Sequence, residues 1–278
     1  MTPAAFTLAV LVVSFLAGLL GSLVGLGGGI IVVPALSLVL GVDMRHAIGA
    51  SIVAVIATST GSAARYVREH LSNLRVAMVL ELATAAGALV GALMAGQIPT
   101  RGLKLLFGAL QVFTVVTMLR HGRGGARLEP PPDAWADRLQ LHGAWTDPVT
   151  GREHPYRVAR TRFGLAVSGA AGVVSGLLGV GGGLFKVPAM TLAMGIPLKV
   201  ATATSNFMIG VTAAAGAAVY FARGDVLPFV AAPVAVGVVL GATTGARIMG
   251  RVPTAAIRWL FVGVASITAV QMLIQGVR

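Results

Sequence analysis

Ten apolar runs, at 4–24, 30–41, 47–66, 74–96, 102–119, 163–178, 184–195, 200–222, 226–247 and 255–275, take up most of this 278-residue chain. Most are close to the ~20 residues a helix needs to cross a bilayer; those at 30–41 and 184–195 are too short for a full crossing. A soluble globule cannot hide this much apolar surface. With 56% hydrophobic and 11% charged residues and a mean hydropathy of +0.88, too little polar surface remains to cover a fold of this size. An all-α polytopic membrane protein in a lipid bilayer is predicted.

The formal charge of +12 does not point to nucleic acid, because the 21 basic residues are scattered at the ends of apolar runs and form no stripe. The absence of cysteine excludes disulfides, thiolate metal sites and cysteine nucleophiles. No cofactor is implied, and the chain has no G-x-x-x-x-G-K-[ST] phosphate loop. The opening "MTPAAFTLAVLVVSFLAGLLG" lacks a basic leader, and its glycine-rich continuation recurs internally, so it is read as a membrane segment and not as a cleaved signal.

The recurrence is a duplication. "GSLVGLGGGIIVVPALSLVLG" at 21–41 aligns without a gap to 175–195 at an offset of 154, with ten of 21 positions identical, including the glycine triplets and Pro34/Pro188. The register continues through Ser51/Ser205, Tyr66/Tyr220, Gly87/Gly241, Gly91/Gly245, Pro99/Pro253, Phe107/Phe261 and Met118/Met272. The chain therefore divides into a membrane repeat at 1–119, a polar connector at 120–162 and a second repeat at 163–278, each repeat having about five helical segments and a broken or short helix at the glycine motif. The connector carries eight basic and five acidic residues, three consecutive prolines and two tryptophans, and is expected to be exposed to water.

Charge speaks to orientation. The loop near 65–75 in repeat 1 carries Arg65, Arg68 and Arg75 against Glu69, whereas in repeat 2 the equivalent loop has only Arg223 balanced by Asp225, and the next one collects Arg247, Arg251 and Arg258. The positive side changes between copies, which predicts inverted repeats with the connector and both arginine-rich loops on the cytoplasmic face. Arg101 and Lys104 weaken this signal.

Three adjacent glycines inside an apolar run unwind a helix, and irregular backbone at membrane depth is tolerated only inside protein or beside a wet cavity. Gly27, Gly28 and Gly29, and Gly181, Gly182 and Gly183, are each followed by a proline. Freed amides at such a break offer an anion site without a full charge. Close helix packing is the competing reading, and it suits the spaced pairs Gly21/Gly25, Gly87/Gly91, Gly172/Gly176 and Gly237/Gly241/Gly245 better than it suits the triplets.

"GLLGVGGGLFKVP" with "GIPLKVATATSNF" after it, and its twin "GSLVGLGGGIIVVP", resemble the sulfite exporter TauE/SafE family of membrane permeases. The likeness runs over nearly the whole chain, connector included. It implies export of sulfite, sulfonates or related organosulfur anions from a cell (inner) membrane. The first copy has "AIGASIV" where the second has "ATATSNF", so equal substrate binding by both copies is not implied.

Within that frame Lys186 is the leading substrate contact. Its counterpart in the first copy is Val32, so the fold does not require the charge, and an ionisable residue at depth marks function unless it snorkels to an interface. Thr202, Thr204, Ser205 and Asn206 can donate to an oxyanion or simply start and pack a helix, and Ser51 is their weaker counterpart. Glu81, the one acid well inside an apolar run, is a candidate for a coupling proton, although it stands only seven residues from a charged loop; His46 reads as a proton relay or a loop residue. The function predicted is secondary transport of a small anion by alternating access. An anion channel is the alternative. An intramembrane enzyme or assembly factor lacks H-E-x-x-H, G-x-S-x-G and paired acids in the apolar runs. Oligomeric state is open, a homo-oligomer included.

Overall fold

The computed structural model describes residues 2–24, 27–69, 71–120, 133–146, 152–248 and 254–277. Gly25 and Arg251 lie outside them, and the side chains of Arg65 and Arg258 are likewise not described.

Among the described residues the chain is helical apart from one hairpin in the connector. Repeat 1 holds α1 (Pro3–Val24), α2 (Gly29–Pro34), α3 (Met44–Arg68), α4 (Leu74–Ala95) and α5 (Thr100–Arg120). The connector holds α6 (Ala134–Arg138), β1 (Gly143–Thr146) and β2 (Glu153–Tyr156), and repeat 2 holds α7 (Thr161–Leu178), α8 (Gly183–Pro188), α9 (Leu198–Ala222), α10 (Pro228–Ile248) and α11 (Thr254–Val277). Eight helices among the described residues are long and apolar enough to cross a membrane, which makes this a multi-pass membrane protein. The two short ones, α2 and α8, each end in a proline and run on into one π-helical turn, Ala35–Val39 and Ala189–Ala193. The proline lacks an amide proton to continue the regular ladder, and the chain widens there.

Packing is set by small residues. Helix α4 lies parallel to α7, with Gly87 and Gly91 facing Gly169 O and Val173 O, and Gly172 and Gly176 facing Thr84 O and Ala88 O. Helix α1 lies parallel to α10 in the same way, with Gly237 and Gly241 against Leu11 O and Phe15 O. A Cβ at any of these glycines would overlap the facing carbonyl oxygen or approach it to within 2.5 Å, so the backbones touch. The spaced glycine pairs are thus packing devices. Each repeat lends its first helix to the fourth helix of the other.

Equivalent helices, in contrast, meet antiparallel. In α5 and α11, Lys104 Nζ donates to Gln275 Oε1 and Gln111 Nε2 donates to Thr268 Oγ1 (2.8 Å), so one index rises as the other falls. In α3 and α9, Ser59 Oγ donates to Asn206 O, while Gly49, ten residues earlier, reaches Asp225 beyond the far end of α9.

The connector is docked rather than merely tethered. Ala136, Leu141 and Val158 are buried against Val76, Leu80, Met190 and Met194. Asn73 Nδ2 donates to Leu141 O and Tyr156 Oη, and Arg75 Nη1 donates to Gln140 O. Asp133 caps α6 through Trp135 N and Ala136 N, and its other oxygen accepts from Thr161 N, the first residue of α7. Partial desolvation works to raise the Asp133 carboxyl, but these amide bonds outweigh it and hold the group below its ordinary value. The connector, the 69–73 loop and the start of α7 therefore share one face. Arg223 bonding Ala92 O and Arg45 bonding Gly96 O mark the other.

Candidate functional site

Both glycine breaks arrive at one place. Gly27 has φ +71°, and Gly181 and Gly182 have φ +79° and +67°, a left-handed backbone that side chains resist. A Cβ on Gly27 would lie 3.4 Å from Ile209 Cγ2 and 3.7 Å from Val55 Cγ1; on Gly181 it would lie 2.7 and 3.0 Å from the same atoms. Val55 and Ile209 are themselves equivalent at the 154-residue offset, so the two breaks share one contact made by equivalent residues. Gly29 abuts Gly179 O, and Ser51 Oγ donates to that oxygen at 2.7 Å. The Ser51 hydroxyl thus ties α3 to the second break. Gly28 keeps a right-handed backbone beside Thr58, and Gly183 begins α8.

Beside the second break lies a narrow seam lined by Ile52, Val55, Gly179, Gly181, Thr212 and Gly216, too tight to admit a water molecule.

Lys186 projects from α8 and is 0% exposed, so it does not snorkel. Its Nζ donates to Thr212 Oγ1 of α9 at 3.2 Å. Thr212 Oγ1 lies 2.7 Å from Glu81 Oε1 of α4, to which it donates; Met208 O, at 3.0 Å, is the other acceptor for its single proton. Glu81 is 8% exposed, and its Oε2 is buried without a hydrogen-bond partner. Three helices from both repeats thus converge on an ammonium, a hydroxyl and a carboxylate inside the membrane-spanning body. Ions at such depth are stable only when they balance one another.

The remaining predicted residues are not gathered at Lys186. Thr204 Oγ1 accepts from Asn73 N at 2.9 Å, which joins α9 to the connector-face loop some 12 Å along the helix from Thr212. Ser205 and Asn206, the next two residues of α9, are buried, with the Ser205 hydroxyl and both Asn206 amide atoms unpartnered, while Thr202 is half-buried. Above them a cavity of about 270 Å³ opens between the loop, the hairpin and α9, lined by Ser72, Asn73, Arg75, His142, Tyr156 and Val200. His46 stands in the first turn of α3, at the opposite end of the bundle and roughly 15 Å along the axis from the level of Thr212. Among the described residues, no group of three or more His, Cys, Asp or Glu converges as a metal site would require.

Thr212 was missed by sequence reasoning, since one threonine in an apolar helix is ordinary. A signal existed: its repeat-mate is Thr58, so the hydroxyl is kept in both copies, whereas Lys186 and Glu81 correspond to Val32 and Ala235.

Comparison with known proteins agrees with this architecture. The chain is 26% identical over 273 residues to the probable membrane transporter protein YunE of Bacillus subtilis (strain 168), covering 96% of this chain and 97% of that protein. It is 30% identical over 234 residues to a probable membrane transporter protein of Xylella fastidiosa (strain 9a5c), covering 84% and 78% of the two chains. An archaeal protein of Methanocaldococcus jannaschii, the probable membrane transporter protein MJ0441, is 25% identical over 215 residues, covering 74% and 69%. No solved structure matches the chain significantly. The model of the sulfite exporter TauE/SafE family matches residues 10–272, from within the first helix to within the last, and the chain belongs to that family.

Proposed function

We propose that this membrane transporter is a secondary carrier, working as an exporter in the cell's inner membrane, for a small sulfur oxyanion such as sulfite or a sulfonate. One observation carries the reading: a fully buried lysine stands beside two helix breaks that meet against equivalent residues. A cation at that depth attracts an anion, and a break at the repeat axis is where such folds place their substrates. Gly27 to Gly29 and Gly181 to Gly183 supply the unwound backbone and Lys186 the charge. Thr202, Thr204, Ser205 and Asn206 line the way from the connector-face cavity, and Ser51 holds the second break in place. His46 has no part in this path.

The antiparallel meeting of α3 with α9 and of α5 with α11 supports inverted repeats, since copies related by a rotation about the membrane normal would place equivalent helices parallel. Alternating access between the two repeats is the mechanism proposed, with the seam beside the second break closed to water in this conformation. Transport by purified protein in proteoliposomes, across sulfite, sulfate, methanesulfonate and acetate, tests the reading. Saturable uptake of a sulfur oxyanion is expected; linear flux makes the protein a channel, and no flux of any anion refutes transport.

A further inference from the structure

Lys186 and Glu81 belong to different halves of the chain, yet they share one hydroxyl, Thr212. At the pseudo-equivalent position the hydroxyl survives as Thr58, while Val32 and Ala235 replace both ions. The charges are present together or absent together. A fold requirement for either one would not produce that pattern, but the need to leave no net charge in the interior would.

We infer that a bound anion and the Glu81 carboxylate compete for the Lys186 ammonium, so that each monoanion carried enters with one proton, held by Glu81 while Lys186 is occupied. This rests on the reading that Lys186 binds the transported anion. In the empty carrier, ammonium and carboxylate balance through Thr212. A monoanion at Lys186 Nζ would leave one uncompensated negative charge among packed helices, which is strongly unfavourable. A proton from water on the carboxylate restores neutrality, and Oε2, which has no partner, is where it sits. Thr212 still donates to Oε1. No other bond forms or breaks, and the anion and proton leave together.

Among the described residues the other charges on these elements lie toward the helix ends, Arg223 at the end of α9 included, which bonds Ala92 O of α4. Of the helices packed on α4, α7 carries Arg162, which lies over the Trp135 ring at its outer end; α9 carries Lys199, over Trp145, and Tyr220, which donates to Gly176 O. Arg75 of α4 itself bonds Gln140 O in the connector. Among the described residues, Lys186 is the ionisable group whose charge acts on Glu81.

Two properties follow. Loaded and empty sites have the same net charge, so the membrane potential drives neither crossing, and net export runs only while the outward anion gradient exceeds the inward proton gradient. A dianion would need a second proton and finds no second acid, so monoanions are selected over dianions.

The test uses full-length protein in proteoliposomes with a trapped pH dye, and methanesulfonate, which is ionised throughout the pH range used and cannot itself ferry a proton. With the outside one pH unit more acidic, accumulation should approach about tenfold, the ratio at which one-for-one symport balances. The lumen should acidify, and an imposed potassium diffusion potential should leave uptake unchanged. Sulfate should move at least about tenfold more slowly. Glu81→Gln imitates the protonated acid and leaves Lys186 unbalanced when the site is empty. Its net uptake should fall by about tenfold or more, a barrier increase of roughly 1.4 kcal/mol, while exchange of internal for external methanesulfonate continues and loses its pH dependence. Exchange by the wild type without gradient-driven accumulation, equal rates for sulfate, or gradient-driven accumulation by the variant would each overturn the coupling and leave transport standing. Absence of all flux would instead overturn the transport reading and this inference with it. If the variant does not reach the membrane, the wild-type lumenal pH record decides alone.

Discussion

Replacing Lys186 with methionine keeps the bulk of the side chain and deletes its charge, and its first consequence should be a loss of stability. The bonds from Nζ to Thr212 and from Thr212 to Glu81, 3.2 and 2.7 Å long, hold the ammonium within about 5.9 Å of the carboxylate oxygen. At an effective dielectric of about 20, unit charges at that separation attract by roughly 3 kcal/mol. Removal of one partner from a buried pair costs about 3–5 kcal/mol, because the other is left uncompensated. Removal of both should cost much less. Lys186→Met is therefore expected to lose about 3 kcal/mol or more, Glu81→Gln a similar amount, and the double variant to recover at least about 2 kcal/mol relative to the sum. Denaturant or thermal unfolding of the four proteins in one detergent at neutral pH closes the cycle. Single variants within about 1 kcal/mol of wild type, or strictly additive effects, would mean that the two groups are not an interacting pair, and the reasoning built on them would fail.

Other expectations are independent of that pair. Gly91→Ala would drive a Cβ into Val173 O at the α4–α7 contact and should destabilise by about 1–3 kcal/mol, whereas Gly263→Ala, with nothing within 4 Å, should be neutral or gain up to about 1 kcal/mol in the same unfolding assay. Asp133→Ala removes the cap of α6 and the tie to α7, a loss of about 1 kcal/mol, and should speed hydrogen exchange across 133–161. Because the folded Asp133 carboxyl lies below its ordinary value of 3.8, its contribution is complete above that pH and disappears as pH falls through the folded value, so wild-type protection should hold across mildly acidic buffers. Single cysteines at Glu69, Gln140 and Arg247 should resist an impermeant maleimide in intact cells while one at Gly224 reacts; labelling of only one or two of the first three would refute the inverted arrangement. The chain has no native cysteine to confuse this result.

The fold was legible where its cause is local. Apolar runs of bilayer length became helices, and the glycine triplets with their prolines became breaks, because neither outcome depends on distant residues. Lys186 and Glu81 could each be singled out, since an ion in an apolar run is conspicuous by itself. Their partnership could not, because it is made by α4 and α8 both packing on α9, which no spacing in the sequence encodes. The docking of the connector was hidden for a related reason: Ala136, Leu141 and Val158 stand singly among charges and show no periodicity, yet they close one cluster in space. The ties from Asn73 N to the Thr204 hydroxyl and from the Ser51 hydroxyl to Gly179 O were equally hidden, because residue type does not reveal a partner distant in sequence.

The exchange of first and fourth helices between repeats has a consequence for how the protein is made. When α1 and α4 leave the ribosome, the helices they lie against, α10 and α7, have not been synthesised. Until the second half arrives, the glycine face of α4 must rest against lipid or a membrane chaperone, and α1 waits longest of all. Neither half has a finished interior of its own. A fragment ending near residue 120 should accordingly be a substrate for quality-control proteolysis, and co-expression of the two fragments should rescue both. On the inverted arrangement proposed above, a single repeat of this kind would have folded as a pair inserted in opposite orientations, before duplication and the connector joined them into one chain.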